Sequence, residues 1–288
     1  MTVGYWAVAF LDLMGYGAAL DAFDVYPLPS DKAAQDALTP KVVRPRHFQQ
    51  RLVLGIETFI EGMRSAPQTD LSHLPAEAQR LAARWRATRI KVQPLGDAVT
   101  MELALRGDDN HFPARALDMM LMAACSASLN QLAMGDGRPE DTLPLRGGID
   151  VGTGAVIGGQ LYSAALKKAV VLEDNADFPR IMVGDRLLEY VQSMANSTGF
   201  DLTTGHVRDL MRGVQELFFK DPEDGKWCLD VLGGWAANRL ASDRALVRSA
   251  YAFVQQALAH YQDEYLLRKY RWLDRYMKPR LSVWGLAP

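Results

Sequence analysis

Residues 5–13, YWAVAFLDL, constrain the fold most, because all but one of them are aromatic or aliphatic. Such a run predicts a central β-strand that is buried in the protein. One carboxylate interrupts it, since Asp12 lies between two leucines, and Gly15 and Gly17 follow at once. Asp12 is either the cap of a turn that ends the strand or a metal ligand at the edge of an active site, and the segment alone leaves both interpretations open.

The composition excludes several classes of protein. A chain of 288 residues with 49% hydrophobic residues can bury one large core. Its 32 basic and 34 acidic residues imply no bulk attraction to nucleic acid or to an anionic membrane. The two cysteines, Cys125 and Cys228, form no CxxC pair, and we expect them to be buried thiols rather than a disulfide framework. With neither a signal-peptide pattern nor an apolar run long enough for a membrane span, the sequence predicts a cytoplasmic protein.

Hydrophobic periodicity predicts strands and helices that alternate along the chain. Strands are expected at 5–13, in a hairpin over 89–105, on both sides of a glycine-rich stretch in 143–159, at 180–184, and in a second hairpin over 216–232. Helices are expected at 47–66, around 75–87, at 113–134 and 163–175, after 184, and as one long helix over 241–277, whereas residues 22–46 are expected to form a loop. This order predicts an α+β fold whose core is a ferredoxin-like β-α-β-β-α-β sheet covered by helices.

Two acids stand out because of where this topology places them. Asp12 ends the first strand, and Asp97 lies at the tip of the first hairpin, whose strands neighbour the first strand. Paired carboxylates with a nearby backbone carbonyl suit Mg²⁺ or Mn²⁺, ions that also hold a triphosphate. The small residues from Gly15 to Ala19 could offer backbone N–H groups to phosphates. The sequence therefore predicts a metal and phosphate site at one edge of the sheet.

Three segments in order, AFLDLMGYG, KVQPLGDAVTM and LRGGIDVGTGAVIGG, resemble the class III nucleotidyl cyclase pattern over residues 5–184. The Gly96-Asp97 hairpin is the most specific part of the match. The later segments ALKKAVVLEDNADFPRIMV, KDPEDGKWCLDVL and LLRKYRWLDRY resemble a narrower group, the bacterial pyrimidine cyclases of the Pycsar anti-phage systems. The resemblance implies a catalytic domain over 1–200, with an insertion at about 22–88. A C-terminal hairpin and long helix over 201–288 would pack on it.

The resemblance also implies a site. Asp12 and Asp97, with the Leu13 carbonyl, would hold two Mn²⁺ or Mg²⁺ ions, one activating the ribose 3′-hydroxyl and the other neutralising the triphosphate. Gly15, Tyr16 and Gly17 would contact the substrate. The site would lie between the two subunits of a homodimer.

The chain departs from the family pattern at the positions that contact phosphates and base. The expected Asn and Arg fall at Lys167 and Val171, and Lys167 or Lys168 could serve as a point charge where Val171 cannot. The positions that recognise adenine fall at Gln93 and Gln160, two amides that can pair with a pyrimidine.

Arg146 precedes the glycine pair of the third segment, and it is either a phosphate contact or an exposed residue of an edge strand. The glycines that follow it lead into more strand, and so they do not form a dinucleotide-binding fingerprint. The histidines show neither HxH nor HxxxH spacing, which argues against a zinc site.

We therefore expect a uridylate cyclase that converts UTP to 3′,5′-cyclic UMP and pyrophosphate. Its product would be a defence signal for a separate effector protein that senses the cyclic nucleotide. CTP is the second choice of substrate. A catalytically degenerate, nucleotide-binding domain is an alternative of another class, and a purine cyclase is disfavoured by Gln93 and Gln160.

Overall fold

The computed structural model describes residues 2–14, 31–65, 76, 79–80, 83, 88–105, 114–134, 139, 142–197, 202–240 and 243–287. The strands are β1 (Thr2–Leu13), β2 (Lys91–Leu95), β3 (Ala98–Ala104), β4 (Leu145–Ile157), β5 (Gln160–Ser163), β6 (Ile181–Val183), β7 (Phe218–Lys220) and β8 (Trp227–Leu229). The helices are α1 (Lys32–Ser65), α2 (Ala114–Ala133), α3 (Ala164–Asp174), α4 (Asp185–Ala195), α5 (Leu202–Gln215), α6 (Gly234–Arg239), α7 (Arg244–His260) and α8 (Glu264–Met277), followed by a 3₁₀ helix (Lys278–Trp284). No helix of this described part is long and apolar enough to cross a membrane.

The strands form one mixed sheet in the order β2-β3-β1-β4-β6-β8-β7, with β5 paired to β4. The central strand β1 runs antiparallel to both neighbours, β3 and β4. The only parallel pair among the described strands is β4 with β6. The chain is thus a mixed α/β protein, as the predicted α+β class requires.

The two faces of the sheet differ in chemistry, because alternate residues of a strand point to opposite sides. The core face of β1 carries Ala7, Ala9, Leu11 and Leu13, all at most 1% exposed, and the apolar sides of α1 and α2 belong to the same hydrophobic cluster. The opposite face carries polar or small residues on β3 and β4, namely Thr100 and Glu102 on β3, and Arg146, Gly148, Asp150 and Gly152 on β4. On β1 it carries Asp12 at the end of the strand, after Trp6, Val8 and Phe10. The polar face is the one that can hold a site.

Helix α3 lies directly against this polar face because β4 has a glycine there. A Cβ on Gly148 would come within 2.2 Å of the Ala169 carbonyl oxygen and 2.5 Å of the Leu172 Cβ. The helix packs with Ala165, Ala169 and Glu173 towards the sheet, spaced four residues apart. Close approach at Gly148 therefore brings Glu173 to the end of the sheet that carries Asp12.

The C-terminal segment extends the same sheet, since β8 pairs with β6. Arg180, which precedes β6, donates hydrogen bonds to Asp221 and Asp224 beside the β7–β8 hairpin. The indole N–H of Trp272 on α8 donates to Asp221 over 2.8 Å. The Trp272 ring stacks on Phe178, with 5.5 Å between the ring centres. Arg180 thus joins the hairpin and α8 to the rest of the sheet.

Three sequence predictions about the elements were wrong. Of the predicted loop over 22–46, residues 32–46 belong to helix α1, although two prolines, Pro40 and Pro45, lie inside its bounds. Residues 22–30 of that prediction lie outside the described residues. Strand β4 continues through the glycines of 147–154. These positions have no room for a side chain, because atoms of the neighbouring strands and of α3 lie against them on both faces of the sheet. The predicted helix over 241–277 is two helices, since Tyr261 caps α7 and the Asp263 side chain caps the start of α8.

Candidate functional site

The sheet register brings the two predicted metal ligands to the same end of adjacent strands. Leu11 of β1 pairs with Val99 of β3, so that Asp97, in the turn before β3, lies beside the end of β1. This turn is a two-residue hairpin loop in which Gly96 has a φ of 64°, a conformation that glycine adopts without strain. The negative charge of Asp97 raises the pKa of Asp12, as expected for two carboxylates near each other.

Arg146 is the direct partner of Asp12. The two residues are paired across β4 and β1, and the Arg146 Nε donates to the Asp12 Oδ2 over 3.1 Å. The Nη2 of the same guanidinium also lies 3.1 Å from this oxygen. Arg146 therefore lies beside Asp12 in a central strand and not on an edge strand, and a contact with phosphate stays a prediction.

A third acid, Glu173, contacts Arg146 from the helix that covers this face of the sheet. It lies on α3, is only 3% exposed, and its Oε1 is 2.5 Å from the Arg146 Nε. The contact is an ion pair rather than an aligned hydrogen bond, because Oε1 is buried without a hydrogen-bond partner. One guanidinium thus faces two buried carboxyl groups.

This arrangement raises the pKa of both carboxyl groups. Burial raises the pKa of Asp12, the Arg146 guanidinium opposes that rise, and the charge of Asp97 adds to it. Burial likewise raises the pKa of Glu173 to about 7, against the opposing charge of Arg146 and with the support of Asp12. The interaction between the two carboxyl groups lowers the pKa of Asp12 and adds to the rise in the pKa of Glu173.

The donor set at this end of the sheet suits a hard divalent cation. The Asp12 Oδ1 is buried and has no hydrogen-bond partner, which is unfavourable unless a cation or another donor reaches it. Asp97 supplies a second carboxylate, and Leu13 directly follows Asp12 with its side chain in the core. Among the described residues, however, no group of three or more acidic, histidine or cysteine side chains has the arrangement of a metal site. A cation held by these two carboxylates would take its other ligands from backbone carbonyls, water or a bound molecule.

The predicted base-contacting amides lie further along the same face. Gln93 is paired with Thr100, which is itself paired with Phe10, two residues before Asp12 on β1. The amide nitrogen of Gln93 donates to the Glu102 Oε1 over 2.7 Å. Lys91 donates to the Gly159 carbonyl oxygen over 2.9 Å, which brings the tip of the β4–β5 hairpin close to β2.

Gln160, directly after Gly159, is exposed and accepts a hydrogen bond from the Tyr162 hydroxyl. Because Lys91 holds the carbonyl of the preceding residue, the backbone of Gln160 lies near β2, the strand that carries Gln93. No direct contact between the two amides is found within the described part of the chain.

The predicted phosphate contacts of α3 are not at this site in the same subunit. Lys167 and Val171 are exposed on the side of the helix away from the sheet, opposite Ala165 and Ala169. Lys168 instead lies 3.7 Å from the buried carboxylate of Asp150. Gly15, Tyr16 and Gly17 lie outside the described residues.

The sequence prediction missed three residues of this face: Glu173, Glu102 and Lys91. A signal for Glu173 existed, because it continues the stripe formed by Ala165 and Ala169 and thus places an acid on the buried side of a helix. Glu102 follows Thr100 at a spacing of two in β3, a position that the alternation of the strand assigns to the face of Asp12.

No protein-family model matches the chain, and no curated protein matches it.

Proposed function

We propose that the protein is a metal-dependent pyrimidine nucleotide cyclase that converts UTP to 3′,5′-cyclic UMP and pyrophosphate. The observation that supports this proposal is the convergence of Asp12 and Asp97 at one end of the polar sheet face, with the Asp12 Oδ1 buried and without a partner. The element order β1-α1-β2-β3-α2-β4 and the strand order β2-β3-β1-β4 are compatible with a ferredoxin-like cyclase core.

In this proposal Asp12 and Asp97 hold two Mn²⁺ or Mg²⁺ ions, with the Leu13 carbonyl as a further oxygen ligand. Such ions lower the pKa of a hydroxyl and neutralise charge on a triphosphate and its leaving group. The 3′-oxygen attacks the α-phosphorus in line with the leaving pyrophosphate, so that one P–O bond forms as another breaks. Arg146 lies beside Asp12 and carries the positive charge that would face the phosphates.

Gln93, together with Gln160 on the adjacent hairpin, would contact the base. Gln93 lies two strands away from β1 and two residues from Asp12 along it, so that the two Cα atoms are roughly 12 Å apart at the usual rise and spacing of strands. This separation is on the scale of one nucleotide between its base and its phosphates. Gln93 would therefore lie near the base of a substrate that is held at Asp12.

The outward position of Lys167 on α3 fits a homodimer in which one subunit completes the site of the other. The product would act through a separate effector that senses the cyclic nucleotide, in a cytoplasmic defence response. CTP is the second candidate substrate.

One observation favours a competing function, a nucleotide-binding domain without turnover. Arg146 neutralises Asp12 in the present structure, and no set of three metal-binding side chains is found among the residues that the structure describes. A domain of this kind would bind a nucleotide or dimerise but form no cyclic product.

The decisive experiment offers ATP, GTP, CTP and UTP separately to the purified protein with Mn²⁺ and identifies the cyclic products. Cyclic UMP supports the proposal, and cyclic CMP supports its second choice. Cyclic AMP alone contradicts the pyrimidine assignment. Absence of product with every triphosphate, together with measurable nucleotide binding, favours the binding domain.

A further inference from the structure

Glu102 is an acid on the floor of the polar face that the proposed metal chemistry does not use. It is 4% exposed and lies two residues after Thr100 on β3. Its partners in the neighbouring strands are Lys91 on β2 and Val8 on β1. Burial raises its pKa, and the charge of Lys91 opposes that rise. A buried carboxylate is costly unless its oxygens are paired, and two neighbours, Gln93 and Lys91, supply that pairing.

The contact with Glu102 determines which atom of Gln93 is available to a ligand. A carboxylate offers only acceptors, so that the Gln93 side chain must present its nitrogen to Glu102. The Nε2–Oε1 distance of 2.7 Å is that of a strong charge-assisted hydrogen bond. The carbonyl oxygen of the same amide then points away from Glu102, and the described residues supply no donor to it. Gln93 thereby presents its carbonyl oxygen as an acceptor, next to the one amide N–H that Glu102 does not take.

Lys91 supplies the complementary donor beside it. Its ammonium lies 3.7 Å from the Glu102 Oε2 and donates to the Gly159 carbonyl oxygen, which leaves part of its capacity for three hydrogen bonds. The Lys91 side chain is 45% exposed, so a ligand on the polar face can reach it. The edge of β2 therefore presents one acceptor and one donor, side by side.

We propose that Glu102 sets the base specificity of the site by holding the Gln93 amide with its carbonyl towards the base. This inference rests on the proposed function. The acceptor of Gln93 takes the N3–H of uracil, and the donor of Lys91 pairs with the neighbouring O4. Glu102 is a positioning residue, since it acts through Gln93 and does not itself contact the nucleotide.

The test uses the isosteric substitution Glu102→Gln. The introduced amide can donate to the Gln93 carbonyl, which frees Gln93 to rotate and present its nitrogen to the base. A donor facing uracil N3–H is repulsive, whereas a donor facing the N3 of cytosine is favourable. We expect the ratio of UTP to CTP affinity to fall by about tenfold or more, the range for one buried hydrogen bond lost.

Affinities are measured by calorimetry with α,β-methylene analogues of UTP and CTP, so that turnover is not required. Glu57→Gln, which neutralises an exposed acid on α1, is the matched control and should leave the ratio unchanged. Gln93→Met should weaken the preference, since only the Lys91 contact with O4 then favours uracil, and Glu102→Gln should change nothing further in that background. If the Glu102 variant does not fold, Gln93→Met still tests whether the amide that Glu102 holds contributes to the preference.

The outcomes separate the two proposals. If the wild type prefers UTP but Glu102→Gln leaves the ratio of UTP to CTP affinity unchanged, the role of Glu102 alone is overturned. The same holds if Glu102→Gln changes the ratio equally in the wild type and in the Gln93→Met background. A wild type that prefers CTP overturns the pairing with uracil. Absence of binding of any triphosphate to the wild type overturns the proposed function and this inference together.

Discussion

Arg146 and Asp12 face each other across two neighbouring strands, with the guanidinium Nε 3.1 Å from the carboxylate Oδ2. The Glu173 carboxyl group contacts the Nε of the same guanidinium. The cation thereby stabilises two buried acids. A divalent ion that binds Asp12 competes with this guanidinium for the same oxygen, and Glu173 offers Arg146 an alternative partner.

Arg146→Met should destabilise the metal-free protein at pH 7 by about 2–3 kcal/mol, because it leaves two buried carboxyl groups without a cation. Added Mn²⁺ should recover part of this loss, since a bound ion replaces the missing charge at Asp12. Urea unfolding with and without Mn²⁺ measures both effects. Arg212→Met, at an exposed ion pair, is the control and should cost less than about 0.5 kcal/mol. Equal losses with and without Mn²⁺ would count against a metal at Asp12.

Asp97→Ala should abolish the formation of cyclic product, at least about a hundredfold, while the dimer remains intact. The residue lies in an exposed hairpin turn, so its loss removes a charge from the site without opening the core. Product formation is measured with UTP and Mn²⁺, and the oligomeric state by light scattering. Asp36→Ala, at an exposed position of α1, serves as the control. Full activity of the Asp97 variant would refute the metal role.

The strands and helices that follow a simple period were predictable from the sequence. The apolar run of β1, the Gly96-Asp97 hairpin and the apolar helix α2 all lie close to their predicted positions, because local pattern and tertiary burial agree there. The break at 261–263 was not predictable from periodicity, since the apolar stripe continues across it and only the Asp263 cap marks the new start.

The site was predictable only in part. Asp12 and Asp97 could be paired because the topology of neighbouring strands decides whether they meet, and this topology follows from the order of elements. The pairing of Arg146 with Asp12 depends on the β1–β4 register, which no local pattern specifies. Glu173 and Glu102 were missed because their role depends on which neighbour each one faces after folding.

Gly148→Ala should destabilise the protein by about 2–3 kcal/mol, because the new methyl group collides with the Ala169 carbonyl oxygen and pushes α3 away from β4. The same displacement moves Glu173 away from Arg146. Gly55→Ala is the matched control, since nothing lies within 4 Å of the added methyl group, and it should stabilise α1 by about 0.5–1 kcal/mol. Chemical unfolding measures the free energy of unfolding of both variants. Equal stability of the two variants would contradict the close packing of α3 on β4.

The Arg180 cluster should make stability depend on pH in acid. Burial by itself would raise the pKa of Asp224. The hydrogen bonds from Arg180 and from the Lys226 backbone outweigh burial and lower this pKa below its ordinary value. A carboxyl group whose pKa is lower in the folded chain stabilises it above the unfolded pKa, about 3.9, and this contribution disappears as the pH falls through the folded value.

Asp224→Asn should therefore cost about 2 kcal/mol at pH 7, the range for a charge-assisted hydrogen bond, and progressively less below about pH 4. Urea unfolding of wild type and variant between pH 7 and pH 2.5 gives the difference at each pH. Asp209→Asn, at an exposed acid on α5, should show little difference at any pH. A cost for Asp224→Asn that stays constant over the whole range would show that the charge of Asp224 does not contribute to the attachment of the C-terminal hairpin.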